Sequence, residues 1–384
     1  MIGKIRILHA ITRLDKGGSS TNTLLSAEGL AKKGYEVDLL YGKTADPDTC
    51  LLEKARDAGV DFIEERSLVR NIHPFMDMVA LVRIARIIRK RRYDVVHAHS
   101  SKAGLIARVA AKLGGVKKIV YTPHGHVFYG YFSGVMTGCV IFAEKMAAGI
   151  TDRIVGLTVS ECEEWLRFGV GKSRQYLAIP SGIDFSVLDK GSLSGHDWRK
   201  KLAVPDNAVL VGSIGRFIEI KGYEYFIKAA SGIIKQKRNV YFILVGDGPL
   251  KEKYEGMIKD NALEKHFFII PWQENTGAIL KEFDIFVLSS LNEGMGRALI
   301  EAMFFGKPVI ATHVGGVPSV VTEGSGILIE PASAEAISQA LDELLDNPEK
   351  ARNIGKIGRE KAIREFSVDV MVDKLDELYG ELLA

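Results

Sequence analysis

Arg216 and Lys221 stand five residues apart in GRFIEIKG (215–222), directly after the apolar run Val209–Ile214. An arginine in a strand-to-helix loop and a lysine at the next helix entrance can approach one phosphate pair from two sides. Their charges would stabilise a leaving diphosphate, and the helix terminus would assist. A solvated charged surface fits the same pattern. A second constellation, EGMGRALIE (293–301), follows the apolar run Ile285–Leu288. Its two carboxylates are eight residues apart, with Gly294 and Gly296 around Met295 at a helix entrance. Glu293 reads as a loop residue, and Glu301 as lying about one and a half turns inside the helix. One carboxylate suits hydrogen bonds from sugar hydroxyls, the other a ribose diol, and the N–H groups between them a phosphate. A cap or salt-bridge role stays open for both, because a buried Glu301 without a partner would be costly.

The front half offers weaker chemistry. Gly17-Gly18 follows the first apolar run and precedes a helical stretch, so its backbone can meet an anion or form an ordinary turn. Pro123-His124-Gly125-His126 follows Ile119–Thr122, which puts a histidine at a strand end. No carboxylate cluster completes a metal site there, and none is expected. His97 and His99 alternate along a strand end, one toward the ligand edge and the other toward the core. Asp46-Pro47-Asp48 and Gly246-Asp247-Gly248-Pro249 read as turns.

These residues need elements to position them. Short apolar runs alternate with helical stretches: 5–9, 37–40, 95–97, 119–122, 154–158 and 176–179 as strands, with helices near 21–33, 74–91, 102–112, 135–148 and 160–168. After Pro180-Ser181-Gly182, residues 184–208 are polar and turn-rich. A second series then begins, with strands at 209–214, 240–245, 267–270, 285–288, 308–311 and 327–329. The α/β alternation implies mostly parallel sheets covered on both faces. It predicts two domains, 1–183 and 184–365, and a final helix, 366–384, whose apolar stripe packs back on the first domain.

The 384 residues carry 51 Lys/Arg against 48 Asp/Glu. Residues 1–180 are net basic, 27 against 18, and the remainder net acidic, so the halves meet different partners. That balance does not call for nucleic acid. Three scattered cysteines form neither a disulfide framework nor a zinc pattern, which points to a reducing compartment. The apolar run at 5–10 is too short for a signal peptide, and no stretch is long enough to span a bilayer.

Together the motifs resemble the family-4 retaining glycosyltransferases of GT-B fold. The resemblance rests on Gly17-Gly18, His124, GRFIEIKG, GDG (246–248), the Glu-x7-Glu signature at 293–301 and GKPVIATHVGG (306–316). VHAHSSKAG (96–104) and TPHGHVFYGYF (122–132) look most like members that build bacterial surface polysaccharides. The resemblance implies two Rossmann-like domains facing across a cleft, with the nucleotide held mainly by the second. It assigns Arg216 and Lys221 to the diphosphate and Glu301 to the ribose. Glu293, with the Gly294, Met295 and Gly296 backbone, faces the donor sugar and phosphates; His124 meets the transferred sugar; Gly17 and Gly18 close over the phosphates. Transfer is expected with retention and without metal or cofactor, from a UDP- or GDP-sugar (UDP favoured). The acceptor is a glycan or a polyprenyl-pyrophosphate-linked saccharide. A hydrolysing sugar-nucleotide epimerase and a non-catalytic polysaccharide-assembly subunit are the rival readings.

Three positions depart from the family pattern: Met295 where Phe or Tyr is common, Arg297 where a small aliphatic is common, and Ser181 where Asn precedes the interdomain glycine. LVRIARIIRKRRYD (81–94) sets Leu81, Ile84, Ile87 and Ile88 at helical spacing among Arg83, Arg86, Arg89, Lys90, Arg91 and Arg92. With Phe128, Tyr129 and Tyr131 as an apolar acceptor edge, this predicts a cytoplasmic enzyme, peripheral on the anionic inner face of the membrane.

Overall fold

The central strands of both sheets are short, largely apolar runs buried on both faces, so helices must cover both sides of each sheet. The computed structural model describes residues 4–125, 134–192, 197–236, 239–273 and 275–384. The chain divides into two compact units, 1–182 with 368–384, and 183–367.

The first unit runs β1 (Arg6–Ile11), α1 (Gly18–Lys32), β2 (Glu36–Tyr41), α2 (Thr49–Asp57) and β3 (Asp61–Glu64). It continues with α3 (Pro74–Arg91), β4 (Val95–His99), α4 (Ser101–Gly114), β5 (Lys118–Thr122), α5 (Gly134–Ala148), β6 (Arg153–Gly156), α6 (Val159–Arg167) and β7 (Tyr176–Ala178). The seven parallel strands are ordered β3-β2-β1-β4-β5-β6-β7. Chain direction across the sheet reverses between β1 and β4, and the loops after these two strands frame the crevice where such sheets bind ligands.

The sequence reading passed over α2 and β3. Asp48, read there as part of a turn, caps α2 by accepting from the Leu51 N–H at 3.1 Å. The polar faces of both elements hide them from a search for apolar runs. In α3, Ile84 and Ile88 are buried in the core with Leu81 and Ile87 packed against them, so the predicted isoleucine stripe faces inward.

The second unit begins with α7 (Phe185–Ser192) and α8 (Trp198–Lys201), two short helices within the stretch read as turns. There follow β8 (Val209–Ile214), α9 (Tyr223–Lys235), β9 (Val240–Val245), α10 (Lys251–Asp260), β10 (Phe267–Ile270) and α11 (Gly277–Glu282). Then come β11 (Ile285–Leu288), α12 (Arg297–Phe304), β12 (Val309–Thr312), α13 (Val317–Val320), β13 (Ile327–Ile329), α14 (Ala334–Asp346) and α15 (Pro348–Phe366). Its six parallel strands are ordered β10-β9-β8-β11-β12-β13, with the reversal between β8 and β11. The phosphate-type motif follows β8 and the paired carboxylates follow β11. The topology thus brings the two constellations to adjacent strand ends.

The last helix, α16 (Val368–Leu383), belongs to the first unit and lies on α1. Met371, Val372, Leu375, Leu378 and Tyr379 join the core on that face. Each fully buried side chain of this size contributes about 1.5–3 kcal/mol relative to exposure. Lys33 pairs with Asp373 and Asp376 beside the apolar contact.

Candidate active site

In the second unit the loops after β8 and β11 are stitched together by their backbones. The Leu291 N–H donates to Ile220 O at 2.7 Å, and Ser289 Oγ donates to Lys221 O at 3.0 Å. Gly222 makes this approach possible: its φ is 60°, and a Cβ there would lie 2.2 Å from Ser289 O. Gly315 does the same on the other side, where a Cβ would meet Glu293 O at 2.1 Å. The Gly246–Gly248 turn braces the loop from below, Phe217 N–H donating to Asp247 O.

Within this frame Lys221 Nζ lies 2.5 Å from Glu293 Oε2, and Ser290 Oγ donates to the same oxygen at 3.1 Å. The carboxylate therefore aims the ammonium, which has two further N–H donors to offer. Arg216 is exposed and makes no ion pair among the described residues. Gly294 is exposed, while the Met295 side chain is buried in the core, so only the Met295 backbone remains for a ligand. Gly296, in the left-handed region at φ 74°, caps α12. No acidic side chain and no side-chain cap occupy the first turn of that helix. Its N-terminal N–H groups carry the partial positive charge of an α-helix start.

Glu301 is buried on α12 and satisfied on both oxygens. Arg297 Nε donates to Oε1 and Thr276 Oγ1 to Oε2, each at 3.0 Å. The unusual Arg297 thus compensates a buried carboxylate. Each oxygen keeps acceptor capacity for a further hydroxyl. Thr276, in PWQENTG (271–277), leaves no trace in the sequence because no pattern links this stretch to a glutamate 25 residues on.

In the first unit, Gly17 and Gly18 are exposed at the start of α1, where a Cβ on Gly18 would meet nothing within 4 Å. Ser100, before α4, is tied to the loop after β1 through Thr12, their hydroxyls 3.1 Å apart. His124 lies two residues past β5 with φ 59°, a left-handed conformation for a residue with a Cβ. The Gly125 N–H donates to Glu161 Oε1 at 2.8 Å and anchors the turn.

His124 is the outer member of a histidine group. Its Nε2 lies 3.0 Å from His99 Nδ1, and His99 Nε2 lies 2.8 Å from His9 Nδ1. His97 bonds to Tyr379 OH through Nδ1 and to Thr122 Oγ1 through Nε2. His97 and His99 are both buried and lie on one face of the sheet, as residues two apart on a strand must, so the expected split between ligand edge and core does not occur. Burial pushes His9 and His124 down to about 3 and holds His97 and His99 well below the usual range, so all four imidazoles are neutral at pH 7. His9 was missed, although it sits in register with His97 on the neighbouring strand. Ring nitrogens of His9, His97 and His99 approach within 4.8 Å of one another, but five of the six are taken by hydrogen bonds.

Among the membrane candidates, Arg86, Arg89, Lys90 and Arg92 are exposed. Arg91 is not free: it pairs with Asp38 at 2.7 Å and Asp61 at 2.5 Å, locking α3 to β2 and β3. Phe128, Tyr129 and Tyr131 lie outside the described residues. Among the described residues, no helix is long and apolar enough to cross a membrane.

Known proteins resemble this chain in sequence and fold. Residues 16–187 match the family Glycosyltransferase Family 4, and residues 195–361 match Glycosyl transferases group 1. The chain is 31% identical over 390 residues to the Escherichia coli UDP-Gal:alpha-D-GlcNAc-diphosphoundecaprenol alpha-1,3-galactosyltransferase, covering 99% of this chain and 98% of that one. A capsular polysaccharide biosynthesis glycosyltransferase of Staphylococcus aureus, CapM, is 23% identical over 82% of this chain and 83% of its own. Among solved structures, a Rickettsia africae glycosyltransferase superposes with a TM-score of 0.83 at 22% identity, over 99% of both chains. Anabaena HepE in complex with UDP gives 0.80 at 20% identity, over 99% of this chain and 100% of that one. Two Rossmann-like domains carrying these two constellations define a glycosyltransferase of the GT-B fold. The chain belongs to glycosyltransferase family 4.

Proposed function

We propose that this enzyme is a retaining, metal-independent glycosyltransferase that moves a hexose or N-acetylhexosamine from a UDP-sugar to a polyprenyl-diphosphate-linked saccharide. The observation that carries this reading is the Lys221–Glu293 pair beside the exposed Arg216, at the strand reversal of the second unit. There a nucleoside diphosphate would find two cations and the start of α12, with Glu301 for the ribose. As the C1–O bond to the β-phosphate breaks, charge grows on the leaving oxygen and Arg216 and Lys221 stabilise it. The acceptor hydroxyl attacks C1 from the face that the diphosphate leaves, and its proton passes to the departing phosphate oxygen.

The acceptor class is supported by the Escherichia coli relative, whose acceptor is a diphosphoundecaprenol-linked GlcNAc. Its α-1,3 product is the anomer that retention would leave from an α-glycosyl diphosphate. An acceptor of this kind is held in a bilayer, and α3 and α5 offer a fitting surface on the first unit. Phe75, Met78 and Val82 are exposed on α3 ahead of Arg86, Arg89 and Lys90, with Phe142 and Met146 exposed on α5. We assign this face to the anionic inner surface of the cell membrane.

The deciding experiment incubates the protein with UDP-galactose, UDP-glucose, UDP-GlcNAc and GDP-mannose. A short-chain polyprenyl-diphosphate GlcNAc serves as acceptor, with and without chelator. An α-linked product formed equally with chelator is expected. Inversion at the donor anomeric carbon would refute retention, and sugar-nucleotide isomerisation without acceptor would favour the epimerase reading. Donor binding without any transfer would favour a non-catalytic subunit.

A further inference from the structure

The face of the first sheet that carries α1 and α16 ends, at its ligand edge, in the histidine group. Strand parity sets this up. Residues 7, 9 and 11 of β1 share a face with 95, 97 and 99 of β4, and the register aligns His9 with His97 and His99 with Thr122. Continuing the parity past β5 brings His124 to the same edge.

Neutral imidazole has one N–H and one bare nitrogen, so the chain His9–His99–His124 can run in only two directions. Run outward, His9 Nδ1–H donates to His99 Nε2 and His99 Nδ1–H donates to His124 Nε2. His124 then carries its proton on Nδ1. Run inward, both bonds reverse, and His9 must carry its proton on Nε2. That nitrogen is buried and has no partner among the described residues. The outward direction leaves an unpaired acceptor there, the inward one an unpaired N–H donor. Orphaned buried N–H groups are the rarer of the two in folded proteins.

We infer that His9 and His99 are positioning residues that fix the tautomer of His124, holding its proton on Nδ1 and its Nε2 as an acceptor. The left-handed backbone at His124, anchored through Gly125 to Glu161, shows a side chain held in place at some conformational cost. This inference rests on the proposed function for its purpose. A neutral His124 held this way can donate Nδ1–H to a sugar hydroxyl without adding positive charge. His97 stands outside the relay, its two nitrogens held by Tyr379 and Thr122.

The test is a long-range ¹H–¹⁵N correlation spectrum of the full chain with ¹⁵N-labelled histidine at pH 7, His124 being assigned by its loss in His124→Gln. The expected pattern is a protonated Nδ1 and a bare Nε2 on His124, His99 and His9. A proton on Nε2 of His124, or on both nitrogens, overturns the inference. In a second arm, His99→Leu removes both bonds, while the amide of His99→Gln can accept from His9 and donate to His124. His99→Leu should lower kcat by about tenfold or more with donor KM little changed, as loss of a fixed tautomer does elsewhere. His99→Gln should restore both kcat and the His124 pattern. Equal loss in the two variants with the His124 tautomer unchanged overturns it. Should His99→Leu fail to fold, the wild-type spectrum decides alone. A chain that transfers no sugar yet shows Nδ1–H on His124 refutes the proposed function and leaves the relay standing.

Discussion

Lys221 and Glu301 are both charged residues near the strand ends of the second unit, yet their surroundings predict different failures when each is removed. Lys221 is half-buried and aimed by Glu293, and in the proposed reaction its charge would count most when the leaving diphosphate is formed. Lys221→Ala should therefore lower kcat by about 10²- to 10³-fold with a smaller change in donor KM, read from steady-state kinetics. Glu301→Ala should instead weaken UDP binding by calorimetry. It should also lower stability, because Arg297 and Thr276 lose their acceptor. The histidine group gives a prediction in pH. Its folded-state values lie far below the unfolded value of about 6.5, so the unfolded chain binds more protons as acidity rises. Stability is thus complete above about pH 6.5 and falls below it, by about 1.4 kcal/mol for each buried histidine at pH 5.5. Urea midpoints at pH 7.5 and 5.5 measure this, and His9→Asn should shrink the difference.

At the scale of elements, α4 and α5 are joined by an ion pair out of reach of water. Arg108 Nη2 lies 2.6 Å from Glu144 Oε2, and the guanidinium rests 3.8 Å from the Tyr121 ring centroid. Glu144→Ala would leave a buried cation unpaired and should cost about 3–5 kcal/mol in denaturant unfolding. Double replacement by well-packed apolar residues should be far milder. Helix α3 carries a different test. Because Ile84 and Ile88 are core residues and Arg91 holds Asp38 and Asp61, the proposed membrane contact falls to the exposed Phe75, Met78, Val82, Arg86, Arg89 and Lys90. Flotation with liposomes of 0, 20 and 40% anionic lipid should show binding that rises with charge and falls with salt. Neutralising Arg86, Arg89 and Lys90 together should abolish it without shifting Tm. Unchanged binding in that variant would remove the basic face from membrane targeting.

For the whole molecule, α16 is the element whose sequence position says least about its place: it ends the chain yet completes the first unit. A chain stopped at Ser367 should expose the face of α1 that Met371, Val372, Leu375 and Leu378 cover and lose the Tyr379 bond to His97. Dye binding and a lowered Tm should report it. Much of the molecule is legible in the sequence. The apolar runs and their breaks placed nearly all the strands, because a strand buried on both faces has no choice but to be apolar. Arg216, Lys221 and Glu293 stand out in the sequence because they follow apolar runs directly, at the strand ends where such sheets bind ligands. Polar edge elements such as α2 and β3 left no such trace. Which partners satisfy each charge was also hidden: Thr276 and Arg297 on Glu301, Asp38 and Asp61 on Arg91, His9 behind His99. Local pattern records whether a residue is apolar or charged and how far along the chain the next one lies. The strand order β3-β2-β1-β4 sets which distant residues become neighbours, and with it which buried polar atoms find partners.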